Sequence, residues 1–267
     1  MIHRLCFGIL GGMPLSGTTL KWIAVISMLI DHTAEVLINH NAALTDPIWA
    51  QIYVLMRGIG RIAFPIYAFL LVEGFLHTRD VKKYLARMLT FAVVSEIPFD
   101  LAVFHTPFYW GYQNVFFTLF LGLLALAGIW WGEYDGLKRS QMVQDSAMYG
   151  KKAAYQSSGM FAGAALWKQA LALILCVGTA QLINCDYGAF GVFFIILLYM
   201  TRYDKKTQTI LGAISLIWEL PGILAFIPIR LYNGTRGRCG NRYFFYAFYP
   251  VHLLALWVAG RFIFKLF

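Results

Sequence analysis

Long apolar runs broken by short polar connections dominate the chain. The run from Leu20 to Asn39, LKWIAVISMLIDHTAEVLIN, is apolar for most of its length yet holds Asp31, His32 and Glu35. A helix that crosses the hydrocarbon core of a bilayer needs about 20 mostly apolar residues. By that measure the pattern predicts eight spans, near 20–39, 51–76, 84–104, 115–131, 163–183, 188–201, 209–229 and 243–264. Pro221 and Pro228 make the seventh the candidate to be broken or re-entrant. The predicted fold is all-α, a polytopic membrane protein with about eight transmembrane helices in one bundle. A short cytoplasmic segment, 1–18, precedes a single helical domain at 19–267, which carries a cytoplasmic loop at 132–162.

Composition agrees with the pattern. Of 267 residues, 60% are hydrophobic and 13% charged, and the mean hydropathy is +0.64. These values exclude an ordinary soluble domain. The net charge of +9 would suggest nucleic acid in a soluble protein; here no nucleic-acid partner is predicted, because Lys and Arg collect beside cytoplasmic helix ends. Arg79, Lys82 and Lys83 follow the second span, Lys138, Arg139, Lys151, Lys152 and Lys168 the fourth, and Arg202, Lys205 and Lys206 the sixth. The alternate connections at 40–50, 105–114 and 184–187 hold neither Lys nor Arg, which places both termini in the cytoplasm. One loop breaks the rule: 230–242 holds Arg230, Arg236, Arg238 and Arg242, yet eight spans put it outside. The four cysteines show no metal spacing, and no metal is predicted; a Cys185–Cys239 bridge is compatible with both lying outside.

Ionisable groups inside spans are costly, by about 2.5–3.5 kcal/mol each on insertion scales, so they are functional candidates. Asp31 and Glu35 share one face of the first helix at i,i+4, and no cation is obvious for them. Arg57 and Arg61 on the second helix and Glu96 and Asp100 on the third are i,i+4 pairs at similar depth, which predicts an ion-pair network, structural or functional. Asp31 beside His32 is either a buried structural pair or a base with its orienting acid. Glu73 and His77 mark the inner end of the second helix, Glu219 lies mid-span in the seventh, and His252 in the last. About 12 residues separate the inner end of the first helix from His32, roughly 18 Å, the reach of an extended pantetheine arm. Its phosphates would then meet Arg79, Lys82, Lys83 and Arg87.

Seven segments in order, LKWIAVISMLIDH, LMRGIGRIAFPIYAFLLVEGFLHT, KYLARMLTFAVVSEIPFDL, NVFFTLFLGLL, DYGAFGVFFI, YNGTRGR and YFFYAFYPVHLL, resemble the TraX family. That family is typified by a conjugation protein that N-acetylates pilin and is similar to transmembrane acyltransferases using acyl-CoA. The resemblance implies a multi-pass protein of the cell membrane with acetyl-CoA as donor and a peptide, pilin or saccharide as acceptor. It implies His32 as base with Asp31. Glu35, Arg57, Arg61, Glu73, Glu96, Asp100, Asn114, Asp186, Tyr187, Tyr232, Asn233, Arg236 and His252 fall on its motifs or beside them as binding or site-shaping residues. The same intramembrane Asp, His, Glu and Arg would serve a proton-coupled transporter, although the internal symmetry usual in transporters is not visible. A purely structural subunit leaves the intramembrane charges without a purpose.

Overall fold

The computed structural model describes residues 14–39, 46–144, 166–237 and 242–266, with backbone alone for 132–144, 166, 168 and 242. The described residues are mostly helical, with no strand among them. The helices are α1 (Gly17–Thr33), α2 (Pro47–Gly60), α3 (Ala63–His77), α4 (Val81–Phe104), α5 (Val115–Gln144), α6 (Leu166–Leu182), α7 (Gly188–Met200), α8 (Lys205–Ser215), α9 (Phe226–Arg230) and α10 (Arg242–Val258). A π-helical turn, Ala34–Ile38, extends α1, another, Ala259–Ile263, extends α10, and a 3₁₀ segment, Ile217–Ala225, joins α8 to α9.

Local sequence explains the boundaries. Ser16 caps α1 by accepting from the Thr19 amide, and Asp46 caps α2, with Pro47 in its first turn. Asp204 caps α8 through the amides of Lys206 and Thr207, and the Thr207 hydroxyl, together with these amides, holds its carboxyl below the usual carboxylate range. The predicted span at 51–76 is a longer helical run, Pro47–His77, with a turn at Arg61–Ile62. The loop predicted at 132–162 is corrected at its start, since α5 runs on as helix to Gln144. Its remainder, 145–162, lies outside the described residues.

The chain gathers into two compact units. The first comprises Met1–Leu70, Pro98–His105 and Thr201–Phe267, and the second Leu71–Ile97 and Thr106–Met200. In the first unit α1 and α2 run antiparallel: Ser27 meets Ile59, Asp31 meets Arg57 and Glu35 meets Tyr53. By contrast α1 and α10 run parallel. Trp22 packs on Phe244 and Phe245, and ten residues on, His32 stacks on His252. Eight crossings, as the sequence predicts, would make these two helices antiparallel.

The reason lies at 205–230. Non-helical backbone at Glu219 (φ −133°, ψ 60°) breaks the predicted seventh span. Phe226 of α9 fills the space where Gly212 of α8 has no side chain, and the Lys205 ammonium donates to the Tyr232 carbonyl at 3.3 Å. The segment therefore returns to where it began. The arginine loop after it lies along the start of α1: the Leu15 amide donates to Leu231 O, Gly17 to Thr235 O, and Thr18 to Arg236 O.

The second unit packs α5, α6 and α7 around Leu121, Ala125, Cys176, Ala180, Cys185 and Val192. Cys185, one half of the predicted Cys185–Cys239 bridge, is a free buried thiol whose burial pushes its pKa up to about 12. Cys239 itself lies outside the described residues.

Among the described residues, two stretches, Pro47–His77 and Tyr243–Ile263, are long and apolar enough to cross a membrane; Val115–Trp131, Gln169–Leu182 and Gly188–Met200 are shorter apolar helices. The surface is membrane-like. Trp22, Ile26 and Leu29 form an exposed apolar stripe on α1, and Val251, Leu254 and Val258 form one on α10.

Candidate functional site

The first unit carries a cluster of ionisable side chains on two i,i+4 stripes that face each other. On α1 the stripe is Ser27, Asp31 and Glu35; on α2 it is Tyr53, Arg57 and Arg61. The Ser27 hydroxyl donates to Ile59 O at 2.5 Å. Arg57 Nη1 donates to Asp31 Oδ2 at 2.7 Å, and its Nε lies 3.5 Å from Glu35 Oε2. The Tyr53 hydroxyl donates to the same Glu35 oxygen at 3.0 Å, and Asn39 Nδ2 to Oε1 at 2.9 Å. The sequence reading that left Asp31 and Glu35 without a cation is thus corrected, because one guanidinium serves both. Arg61 pairs with Glu219 at 2.9 Å, and Glu219 is 9% exposed. The two arginines thus engage Asp31, Glu35 and Glu219.

Gly60 makes room for this arrangement. A Cβ there would fall on the Asp31 carboxylate itself. Gly60→Ala should displace Asp31 from Arg57 and lower the midpoint of thermal unfolding in detergent, with Gly58→Ala, whose Cβ meets only Pro221 at 3.6 Å, as the benign comparison. Equal midpoints for the two variants would contradict this packing.

His32 projects about 100° around the helix from Asp31. Its Nδ1 lies 2.6 Å from His252 Nε2, and His252 Nδ1 lies 2.6 Å from the Phe248 carbonyl oxygen. A carbonyl only accepts, so His252 Nδ1–H donates to it. His252 Nε2 then accepts from His32 Nδ1–H. This leaves His32 Nε2 as the nitrogen with the lone pair. Tyr249 meets the His32 ring edge-on with centroids 5.7 Å apart, and Phe248 stacks on His252 at 4.6 Å. The tautomer partner of His32 is thus His252, where the sequence pointed to Asp31. The π-helical turn that follows lies directly beside these residues, a placement common at functional sites.

Tyr232, Asn233 and Arg236 belong to the same unit. Tyr232 packs edge-on against Phe69, and the Asn233 amide donates to Leu15 O. Asn233 Oδ1 accepts from Thr235, shaping the turn, and the exposed Arg236 contributes its carbonyl to Thr18. Asp100, 1% exposed on α4, is buried in this unit.

The remaining predicted residues lie in the other unit. Glu96 accepts from Asn114 through both the side-chain and backbone nitrogens, and Asn114 Nδ2 also donates to Ala92 O at 2.8 Å. Asn114 Oδ1 accepts from the Phe116 amide, so this residue starts α5 and ties it to α4. Asp186 accepts from the Tyr112 hydroxyl at 2.9 Å, its carbonyl accepts from Thr118, and Tyr187 adopts φ 65° in the turn between α6 and α7. The Glu73 carbonyl accepts from His77 Nδ1 at 2.8 Å. Among the basic candidates, Arg79 and Lys82 are exposed, Lys83 pairs with Asp80 at 3.3 Å and Arg87 lies over the Tyr84 ring. Sequence reasoning missed Ser27 and Tyr53. Their signal was available, since each continues an i,i+4 stripe of charged residues by one turn.

Among the described residues no group of His, Cys, Asp and Glu has the arrangement of a metal site. The fold and the site together define a helical protein with a membrane-like surface and a buried cluster of acids, arginines and histidines. The family model described as TraX protein matches residues 16–259, and the chain belongs to that family. It is 31% identical over 277 residues to "Probable fimbrial assembly protein FimC, serogroup H1" of Dichelobacter nodosus, covering 93% of this chain and 97% of that one. No solved structure matches it.

Proposed function

We propose that this protein is a multi-pass, membrane-embedded acyltransferase that moves an acetyl group from acetyl-CoA to an amine or hydroxyl of a pilin, peptide or glycan acceptor. The observation that carries the reading is the fixed tautomer chain from Phe248 O through His252 to His32. It leaves a lone pair on His32 Nε2 within the helical cluster. Membership of the TraX family and the fimbrial assembly role in the relative's name support a pilin-related acceptor.

In this reading His32 Nε2 takes the proton of the acceptor N–H or O–H. The acceptor atom attacks the thioester carbonyl carbon, the C–S bond breaks, and the leaving thiolate recovers the proton from His32. His252 keeps His32 Nδ1 protonated and the ring oriented, the task the sequence reading gave to Asp31. Arg57, bound to Asp31 and Glu35, holds the α1–α2 stripes in register. Arg61, held in place by Glu219, would polarise a carbonyl or meet an acceptor carboxylate.

The purified protein in liposomes with acetyl-CoA and a pilin-derived peptide tests this reading. The expected result is release of the coenzyme A thiol with an acetyl group on the peptide. Flux of a small solute without thiol release would favour proton-coupled transport instead.

A further inference from the structure

The segment Lys205–Arg230 reads in the sequence as a span, but its geometry is that of a hairpin. The rising arm, α8, has 11 residues, which climb about 16 Å at 1.5 Å each, roughly half of a 30 Å hydrocarbon core. The 3₁₀ segment turns the chain at Glu219–Gly222, and α9 descends beside α8, with Phe226 against Gly212. The feet meet where Lys205 Nζ bonds Tyr232 O at 3.3 Å. The tip packs on the turn after α2: Pro221 lies 3.6 Å from the space above Gly58, and Gly222 lies against Arg61 O and Pro65. That contact sets Glu219 on Arg61.

A second observation agrees independently. The pairs Trp22 with Phe244 and Phe245, Lys21 over the Phe245 ring, and His32 with His252 make α10 parallel to α1. A helix parallel to α1 starts on the face where α1 starts. The hydrogen bonds of Leu15, Gly17 and Thr18 to Leu231, Thr235 and Arg236 place the arginine loop on that face too.

We propose that Lys205–Arg230 is a re-entrant hairpin that enters the bilayer to about mid-depth and leaves by the same face. The arginine loop then lies with the exposed Lys205 and Lys206 on the cytoplasmic face, where the excess of cations belongs. The helix α10 crosses in the same sense as α1, and its far end reaches the outer face. The cation anomaly of the sequence disappears, because the hairpin removes one crossing. Backbone freed at the break is covered by α2 and α3, and Glu219 is held at the level of the His32 and Arg57 cluster without a crossing helix. This geometry stands whether or not the protein transfers acyl groups.

Sided labelling tests it. In a chain with Cys6, Cys176, Cys185 and Cys239 replaced by alanine, single cysteines at Tyr203, Thr235 and Phe264 are treated with a membrane-impermeant maleimide, in intact cells and in inverted vesicles. The expected result is labelling of Tyr203→Cys and Thr235→Cys from the cytoplasmic side and of Phe264→Cys from the outer side. Labelling of positions 203 and 235 from opposite faces, or of all three from one face, would overturn the hairpin. Should that background fail to fold, fusions after Phe267 of the native chain decide the same point. An active alkaline phosphatase and a dark green fluorescent protein are expected there, and the reverse pair overturns the proposal.

Discussion

On the proposed mechanism, replacing His32 with alanine is expected to lower acyl transfer by at least about 10²-fold, the contribution usual for a positioned general base. The size follows from the atom removed. Phe248 O fixes the His252 proton, His252 fixes the His32 proton, and His32 Nε2 alone ends the chain with a lone pair. His32→Asn is the sharper variant. Its amide nitrogen lies near the position of Nδ1 and keeps a donor for His252, but nothing replaces Nε2. Thermal unfolding of that variant should match the parent while thiol release stops. His252→Ala frees the His32 tautomer and costs less than His32→Ala. Because the two rings act as one relay, the double variant should be no slower than His32→Ala alone. Additive losses in initial rate would show that His252 acts on its own.

Removing Arg57 has the largest expected effect on stability. Its guanidinium reaches Asp31 and Glu35 at once, and all three side chains are largely shielded from solvent. Arg57→Met leaves two carboxylates facing each other across the helix stripe without the cation they share. Breaking a buried pair from one side typically costs about 3–5 kcal/mol, and the residual exposure of these groups places the effect toward the lower figure. A triple variant with Asp31→Asn and Glu35→Gln removes the orphaned charges and should recover most of the loss. Arg57→Lys keeps the charge but cannot reach both acids with one fork, so it should fall between. Unfolding midpoints in one detergent check the order. A triple variant no more stable than Arg57→Met would contradict the shared-cation account.

The helical class and the polar stripes were legible in the sequence because both depend on local spacing. Asp31 with Glu35 and Arg57 with Arg61 share faces whatever surrounds them. Their partners were not legible. Three helices carry acids at similar depth, and depth alone does not say which neighbour faces the arginines. Ser27 and Tyr53 would have extended the stripes enough to match them antiparallel. The His32–His252 contact was not legible for a related reason: adjacency in sequence suggested Asp31, whereas His252 approaches from 220 residues away.

The segment at 209–229 reads as a span for a different reason. A window of hydropathy weighs composition and ignores direction, so 11 residues rising and 5 returning score as one crossing. Pro221, Pro228 and Gly222 signalled a break, and the misplaced arginines signalled its consequence. Asn114 and Asp186 stand out in the motifs as chemistry-bearing residues, yet their bonds tie helix starts and turns together in the second unit. Motif membership by itself does not separate such tasks from catalysis.

The liposome assay with acetyl-CoA and a pilin-derived peptide, run side by side on the parent and on His32→Asn, tests the central claim most directly. The account predicts thiol release matched by one acetyl group on the peptide for the parent, read by mass spectrometry, and neither for a fully folded His32→Asn variant. An acetylated peptide at the parental rate from His32→Asn would contradict it.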